Sequence, residues 1–179
     1  YEIPKRDWSS DVCSSDLRLE EIGADFVLVS EELGVRTFGA GGPVHVVVDP
    51  IDGSVNAKRG IPFFALSLAV AVGPTMADVQ FGYVYDFGAR EEWIGERGRQ
   101  PLLNGQPLAP VAPREPIEIL SFEGTTTAYI AASATAMLGV AERLRVMGSL
   151  ALSLCHLAAG RVDRSEEHTS ELQSRFGIS

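Results

Sequence analysis

The chain has 179 residues, 45% of them hydrophobic, and a formal net charge of −9. An acidic chain without a basic stripe speaks against nucleic-acid binding through backbone phosphates and suits sites that collect cations. No apolar run reaches the length of a membrane span and no signal peptide is visible, so a soluble cytoplasmic enzyme with no membrane partner is expected.

The two ends stand apart from the rest. A DNA string that codes for Tyr1–Leu17 has a reverse complement that translates in frame as RSEEHTSELQSRFGIS, which is Arg164–Ser179. Folding physics gives no reason for such agreement over sixteen residues. It resembles a sequencing adapter joined to both ends of a DNA insert. Residues 1–17 and 164–179 are therefore expected to be non-native and to make few core contacts. Residues 18–163 are expected to be one domain, an internal fragment of a longer protein. The two ends carry four basic and seven acidic residues, which leaves −6 for the insert. Of the two cysteines only Cys155 falls in the insert, so no internal disulfide forms there and a reducing cytoplasm fits.

RLEEIGADF reads as the end of a helix closed near Gly23. VLVSEE is a short strand ending in acids. ELGVRTFGAGGP reads as a glycine-rich loop. VHVVVD is a β-branched strand with the pattern of one buried on both faces. DPIDGSVNAKRG is a structured turn. IPFFALSLAVAVG is a long apolar strand ended by Gly73-Pro74. DVQFGYVYDF and EEWIGERG continue it as an antiparallel meander. LLNGQPL carries Asn104-Gly105, a hairpin dipeptide. IEILSF is a strand, TTTAYIAASATAML a helix, and ERLRVMG a strand. SLALSLCHLAAG is a helix that Ser149 can cap and Gly160 can close. The inventory predicts a layered α/β domain, with a mixed, largely antiparallel sheet and flanking helices.

The chemistry gathers at strand ends. Glu31 and Glu32 end one strand, and Asp49 and Asp52 follow the next. If both strands share a sheet, the two sets can meet at one edge. Clustered carboxylates repel one another unless cations fill the space between them. Mg²⁺ prefers such oxygen ligands. Pro50 fixes its own φ and restricts Asp49 to extended geometry. Asp49 and Asp52 can then converge with the Ile51 carbonyl between them, and Gly53 permits close backbone approach. Asp-Pro and Asp-Gly are equally at home in ordinary turns. The SEE stretch one strand earlier favours a metal site.

SEE, VVVDPIDGS-N, GIPFFALSLAVA and VMGSLALSLCHLAAGRVD together resemble the inositol monophosphatase family of Mg²⁺-dependent, lithium-sensitive phosphatases. The likeness covers essentially all of residues 18–163. Ser54 and Asn56-Ala57 look more like its archaeal-type branch, some members of which also hydrolyse fructose 1,6-bisphosphate. The resemblance implies the layered αβαβα sugar-phosphatase fold, here incomplete, and a site holding two or three Mg²⁺ ions. It implies Glu31, Asp49, Asp52 and the Ile51 carbonyl as metal ligands, with Asp49 bridging two ions and Glu32 as the acid behind them. It implies Glu31, Asp49, Asp52 and Ser54 as the catalytic set, with the Ser54 hydroxyl positioning the attacking water. Gly53 and Ser54 would bind the phosphate through their amides. Asp52 and the helix start at Gly148, Ser149 and Leu150 would face the polyol. A homodimer is common in that family. Two of its acids have no counterpart here: an upstream aspartate that should precede Arg18, and a downstream WD aspartate that should follow Asp163. The chain as written is therefore expected to be inactive.

The expected activity is hydrolysis of a small phosphorylated polyol or sugar by a metal-activated water. Fructose 1,6-bisphosphatase and 3′-phosphonucleotide phosphatase are the alternatives within the class, and a non-catalytic metal-binding protein is the alternative outside it. Other residues receive plainer readings. Cys155 packs in a core, His156 is a partly exposed helix residue, and His45 is structural. Phe63, Phe64 and Trp93 are core or sheet-face residues. Lys58 and Arg59 either steer an anionic substrate or are solvated loop charges. Asp78, Asp86, Glu91 and Glu92 read as solvent-facing strand ends, and Asp163 has no assigned role.

Overall fold

The computed structural model describes residues 23–124 and 126–167. The helix end expected around RLEEI lies outside them. Two sheets carry the fold. The larger has eight strands in the order β2-β1-β3-β4-β5-β6-β7-β8. These are β1 (Phe26–Ser30), β2 (Gly34–Phe38), β3 (Val44–Asp52), β4 (Ala65–Val72), β5 (Val79–Asp86), β6 (Glu91–Glu96), β7 (Leu102–Leu103) and β8 (Gln106–Pro107). Only the β1–β3 pair is parallel. The smaller sheet is parallel throughout, in the order β10-β9-β11, with β9 (Ile117–Glu123), β10 (Ala141–Arg145) and β11 (Arg164–Glu167). Helices α1 (Ser54–Arg59), α2 (Thr127–Met137) and α3 (Leu150–Ala158) complete the described elements.

The helix α3 joins the two sheets. It packs against β4 and β5 on one side and against β9 and β11 on the other. Its length follows from its caps. The Ser149 hydroxyl accepts from the Leu152 amide, and Gly160, at φ 67° in the left-handed region, closes it as expected. The β4–β6 meander and the Asn104-Gly105 hairpin also form as read, with both turn residues at positive φ.

Four local expectations change. GVRTF is a strand rather than a loop, paired antiparallel along β1. Only Phe38 of its five residues is buried, where its ring stacks on Phe26 at 4.7 Å. SVNAKR coils into one short helix within the expected turn. The strand β3 is not buried on both faces. Val44, Val46 and Val48 pack onto the Phe26–Leu28–Phe38 cluster, while Val47 on the other face is 39% exposed. Finally, residues 164–167 pair with β9 and lie against α3, where few core contacts were expected. Strand pairing uses backbone groups alone, so an open sheet edge accepts almost any extended segment.

Candidate active site

β1 and β3 run parallel with Ser30 opposite Val48, so Glu31 and Asp49 leave the sheet at the same edge. That answers the first requirement of the sequence argument. The second is that Asp49 and Asp52 share a side. In a regular strand, residues three apart point to opposite faces. Between Asp49 and Asp52 the register slips: three steps along β3 match two along β4, from Ser67 to Ala65. This one-residue bulge cancels the mismatch in facing. The Asp49 carboxylate also accepts from the Ile51 amide at 3.0 Å, which holds the turn in shape.

Ser30, Glu31, Glu32, Gly34, Asp49, Ile51 and Ser54 line an open cleft of about 470 Å³. Burial pushes the Asp49 carboxyl up to about 6, against an ordinary 3.8, and the charges of Asp52, Glu31 and Glu32 add to the rise. A half-buried carboxylate surrounded by three others is costly without a counter-charge. The donors are all oxygens, which is the chemistry of a hard divalent cation. The residues therefore fit Mg²⁺.

Asp52 turns to the neighbouring wall. Its Oδ2 accepts from the Ser149 hydroxyl at 2.6 Å and from the Ala151 amide at 2.7 Å. The carboxylate thus supplies an anion to the first turn of α3, which has no acid of its own there. Gly53, at φ 90°, sits where a Cβ would lie 3.0 Å from the Gly148 carbonyl and 3.0 Å from that of Phe63. The two glycine turns therefore touch. Asn56 pins them from α1, its amide donating to Phe63 O at 2.8 Å and Met147 O at 2.7 Å. Glu123, at the end of β9, holds the same turn from the other side, accepting from the Gly148 amide at 2.9 Å.

The fold thus places Glu31, Glu32, Asp49, Ile51 and Ser54 around one cleft, with Asp52, Gly53, Gly148 and Ser149 in the adjoining wall and Leu150 opening α3. It does not draw Glu31, Asp49 and Asp52 into a tight trio. Among the described residues, the trio whose ligand atoms lie within 4.8 Å of one another is Asp86, Glu91 and His156. One acid of that trio, Glu91, is already paired with a cation. The Arg161 guanidinium forks onto both Glu91 oxygens at 2.6 Å and lies 5.2 Å over the Trp93 ring. Asp86 accepts from the Gly88 and Ala89 amides in a tight turn. Burial and Arg161 together hold the His156 imidazole below its usual range.

Asp86 and Glu91 were expected to face solvent. Asp86 is instead 2% exposed, and Glu91 is half-buried, because α3 and the segment that follows it carry His156 and Arg161 over them. Asp163 also gains a role, accepting from the Glu118 and Ile119 amides and so tying the chain beyond α3 to β9. Cys155 and Trp93 are packed as expected, and burial pushes the Cys155 thiol up to about 12. Lys58 and Arg59 are exposed at the end of α1. Asn56 and Glu123 are the residues that sequence reasoning missed. The signal for Glu123 was present: Ser121 and Glu123 interrupt an apolar strand at alternate positions.

A layered α/β domain whose parallel strand pair delivers carboxylates to one cleft, beside a capped helix start, is the architecture of the inositol-monophosphatase-fold proteins. The comparisons make this specific. The chain belongs to the inositol monophosphatase family, a family of phosphatases, whose model matches residues 10–171. It is 34% identical over 146 residues to the fructose-1,6-bisphosphatase/inositol-1-monophosphatase of Thermococcus kodakarensis, covering 82% of this chain and 52% of that protein. It is 30% identical over 145 residues to the Nus factor SuhB of Pasteurella multocida, covering 78% and 53%. Among solved structures, Mycobacterium tuberculosis SuhB aligns with a TM-score of 0.72 at 28% identity, covering 90% of this chain and 64% of that one. The chain spans about half the length of the curated relatives it matches. No helix among the described residues is long and apolar enough to cross a membrane.

Proposed function

We propose that the protein to which this chain belongs is a Mg²⁺-dependent phosphomonoesterase acting on a small polyol or sugar phosphate. The observation that carries this reading is the bulged Asp49–Asp52 turn, set beside Glu31 at one sheet edge. Glu31, Asp49, Asp52 and the Ile51 carbonyl would hold the cation, with Glu32 behind them. Mg²⁺ bound there supplies Lewis acidity for the phosphoryl group and acidifies an attacking water. Ser54, exposed at the start of α1, is free to orient that water. No side chain caps α1, so the Gly53 and Ser54 backbone can meet a phosphate oxygen. The Gly148–Ser149 turn would face the polyol. Cys155 is excluded as a nucleophile, since a thiol pushed up to about 12 stays protonated at neutral pH. Retention of both Asp49 and Asp52 favours catalysis over a purely binding role.

We also propose that residues 18–163 are the native part and that their natural neighbours supply the remaining acids. The test is therefore phosphate release by the protein read through from its uninterrupted gene. Inositol 1-phosphate, fructose 1,6-bisphosphate and a 3′-phosphonucleotide form the panel, each with Mg²⁺ and with EDTA. Mg²⁺-dependent release from inositol 1-phosphate is expected. The dual-named archaeal relatives support fructose 1,6-bisphosphate as a second substrate. No Mg²⁺-dependent release from any of the three would overturn the reading.

A further inference from the structure

We propose that Glu123 is a positioning residue for this site, fixing Asp52 through the Gly148–Ser149 turn; this rests on the reading of Asp52 as a metal ligand. Glu123 lies on β9 in the small sheet, while Asp52 ends β3 in the large one. The two carboxylates never touch in the described hydrogen-bond network, yet a short chain of contacts links them. Glu123 Oε2 accepts from the Gly148 amide at 2.9 Å. The next residue, Ser149, is 1% exposed, and its hydroxyl donates to Asp52 Oδ2 at 2.6 Å. Ala151 adds its amide to the same oxygen at 2.7 Å.

Glu123 is itself held rigidly. Its Oε1 accepts from Ser153 Oγ at 2.5 Å and from Ser121 Oγ at 3.3 Å, and those hydroxyls are 3.1 Å apart. Ser121 and Ser153 are each 1% exposed. The two carboxylate oxygens thus do different jobs. One is anchored in the junction between β9 and α3, and the other grips the turn. A glutamate that served only to fill a buried polar junction would need no oxygen directed at Gly148. A leucine or phenylalanine would continue the apolar strand better. Burial raises the Glu123 carboxyl, and its donors partly offset that rise, so the group is kept at some expense.

The turn has little freedom otherwise. Gly148 stands at φ 83°, and a Cβ there would meet Asn56 Nδ2 at 3.1 Å. Its carbonyl presses on Gly53 of the metal loop. Asn56 from α1 and Glu123 from β9 therefore clamp one turn, and through it they set Asp52 and Gly53 together. Releasing the Glu123 side lets Ser149 and Ala151 drift, and Asp52 with them.

Glu123→Gln is nearly isosteric. It keeps an acceptor for Ser153 and loses the acceptor for the Gly148 amide. Ser153→Ala is the control, since it disturbs only the anchored oxygen. In this chain, hydrogen exchange and Mn²⁺ titration followed by electron paramagnetic resonance read the effect. Glu123→Gln should speed exchange of the Gly148 and Ala151 amides with the melting temperature held. It should weaken Mn²⁺ binding by roughly threefold to tenfold, the size of one hydrogen bond's influence. In an Asp52→Asn background the same change should weaken Mn²⁺ no further, because the two residues act in series. Unchanged exchange at Ala151, or additive losses of Mn²⁺ affinity, would overturn the proposal. If the unsubstituted chain binds no Mn²⁺, the titration moves to the protein read through from its uninterrupted gene, where absent binding overturns the metal-site reading, and exchange at Ala151 still decides whether Glu123 positions Asp52. Should Glu123→Gln fail to fold, Glu123→Asp with the same readouts replaces it.

Discussion

Replacing Asp49 by asparagine stabilises the metal-free protein at neutral pH, although it removes a central candidate ligand. Asp49 has a folded-state value of about 6 against 3.8 when unfolded. A carboxyl raised on folding binds more protons in the folded state, so stability falls as pH rises from about 4 through 6. The rise of about two units corresponds to about 3 kcal/mol at face value. Asp49 is only half-buried, and solvent screening reduces the figure to about 1–2 kcal/mol. Asparagine carries no charge, and its Oδ1 can still accept from the Ile51 amide. Urea unfolding of both forms in EDTA is the assay. At pH 8 Asp49→Asn should be the more stable by about 1–2 kcal/mol, and by pH 4 the gap should close. With Mg²⁺ at pH 8 the order should reverse, because only the aspartate form gains from binding. A variant that is destabilised in EDTA at pH 8, or a gap that ignores pH, refutes the reasoning.

Three further outcomes follow from the same geometry. Ser149→Ala removes both the cap of α3 and a donor to Asp52, and should cost about 1–2 kcal/mol in thermal unfolding. Gly53→Ala places a Cβ 3.0 Å from two carbonyl oxygens at φ 90°, and should cost about 1–3 kcal/mol by the same measure. Cys155, with its thiol pushed up to about 12, should stay unlabelled by iodoacetamide at pH 8 in the native protein and react in urea, as read by peptide mapping.

What the sequence made legible was local. VHVVVDPIDGS announces a strand, a rigid exit and two acids, because β-branched residues, Pro50 and Gly53 each act on their own neighbours. The bulge that turns Asp52 to the right side is not local. It exists only as a mismatch between β3 and β4, and no pattern within β3 marks it. GVRTF was illegible for a similar reason. Four of its five residues are exposed, so its strand character comes from β1 and not from its own hydrophobicity. Asp86 and Glu91 look like surface charges until the segment after α3, some seventy residues later, brings Arg161 against Glu91. Asn56 is the extreme case, since one of its two partners is 91 residues away.

These long-range ties explain why Asp52 is better understood as shared between folding and chemistry than as a ligand alone. Its Oδ2 is committed to Ser149 and Ala151, and so to the start of the helix that bridges both sheets. A cation would take the remaining oxygen. The helix contact then fixes the carboxylate in advance, so binding need not order it. The same contact partly neutralises Asp52 through the helix N-terminus, which limits its repulsion of Asp49. Asp49 has only the Ile51 amide for relief, and burial outweighs it and pushes the carboxyl up. The fold thus settles one aspartate structurally, and on the proposed reading a cation would settle the other.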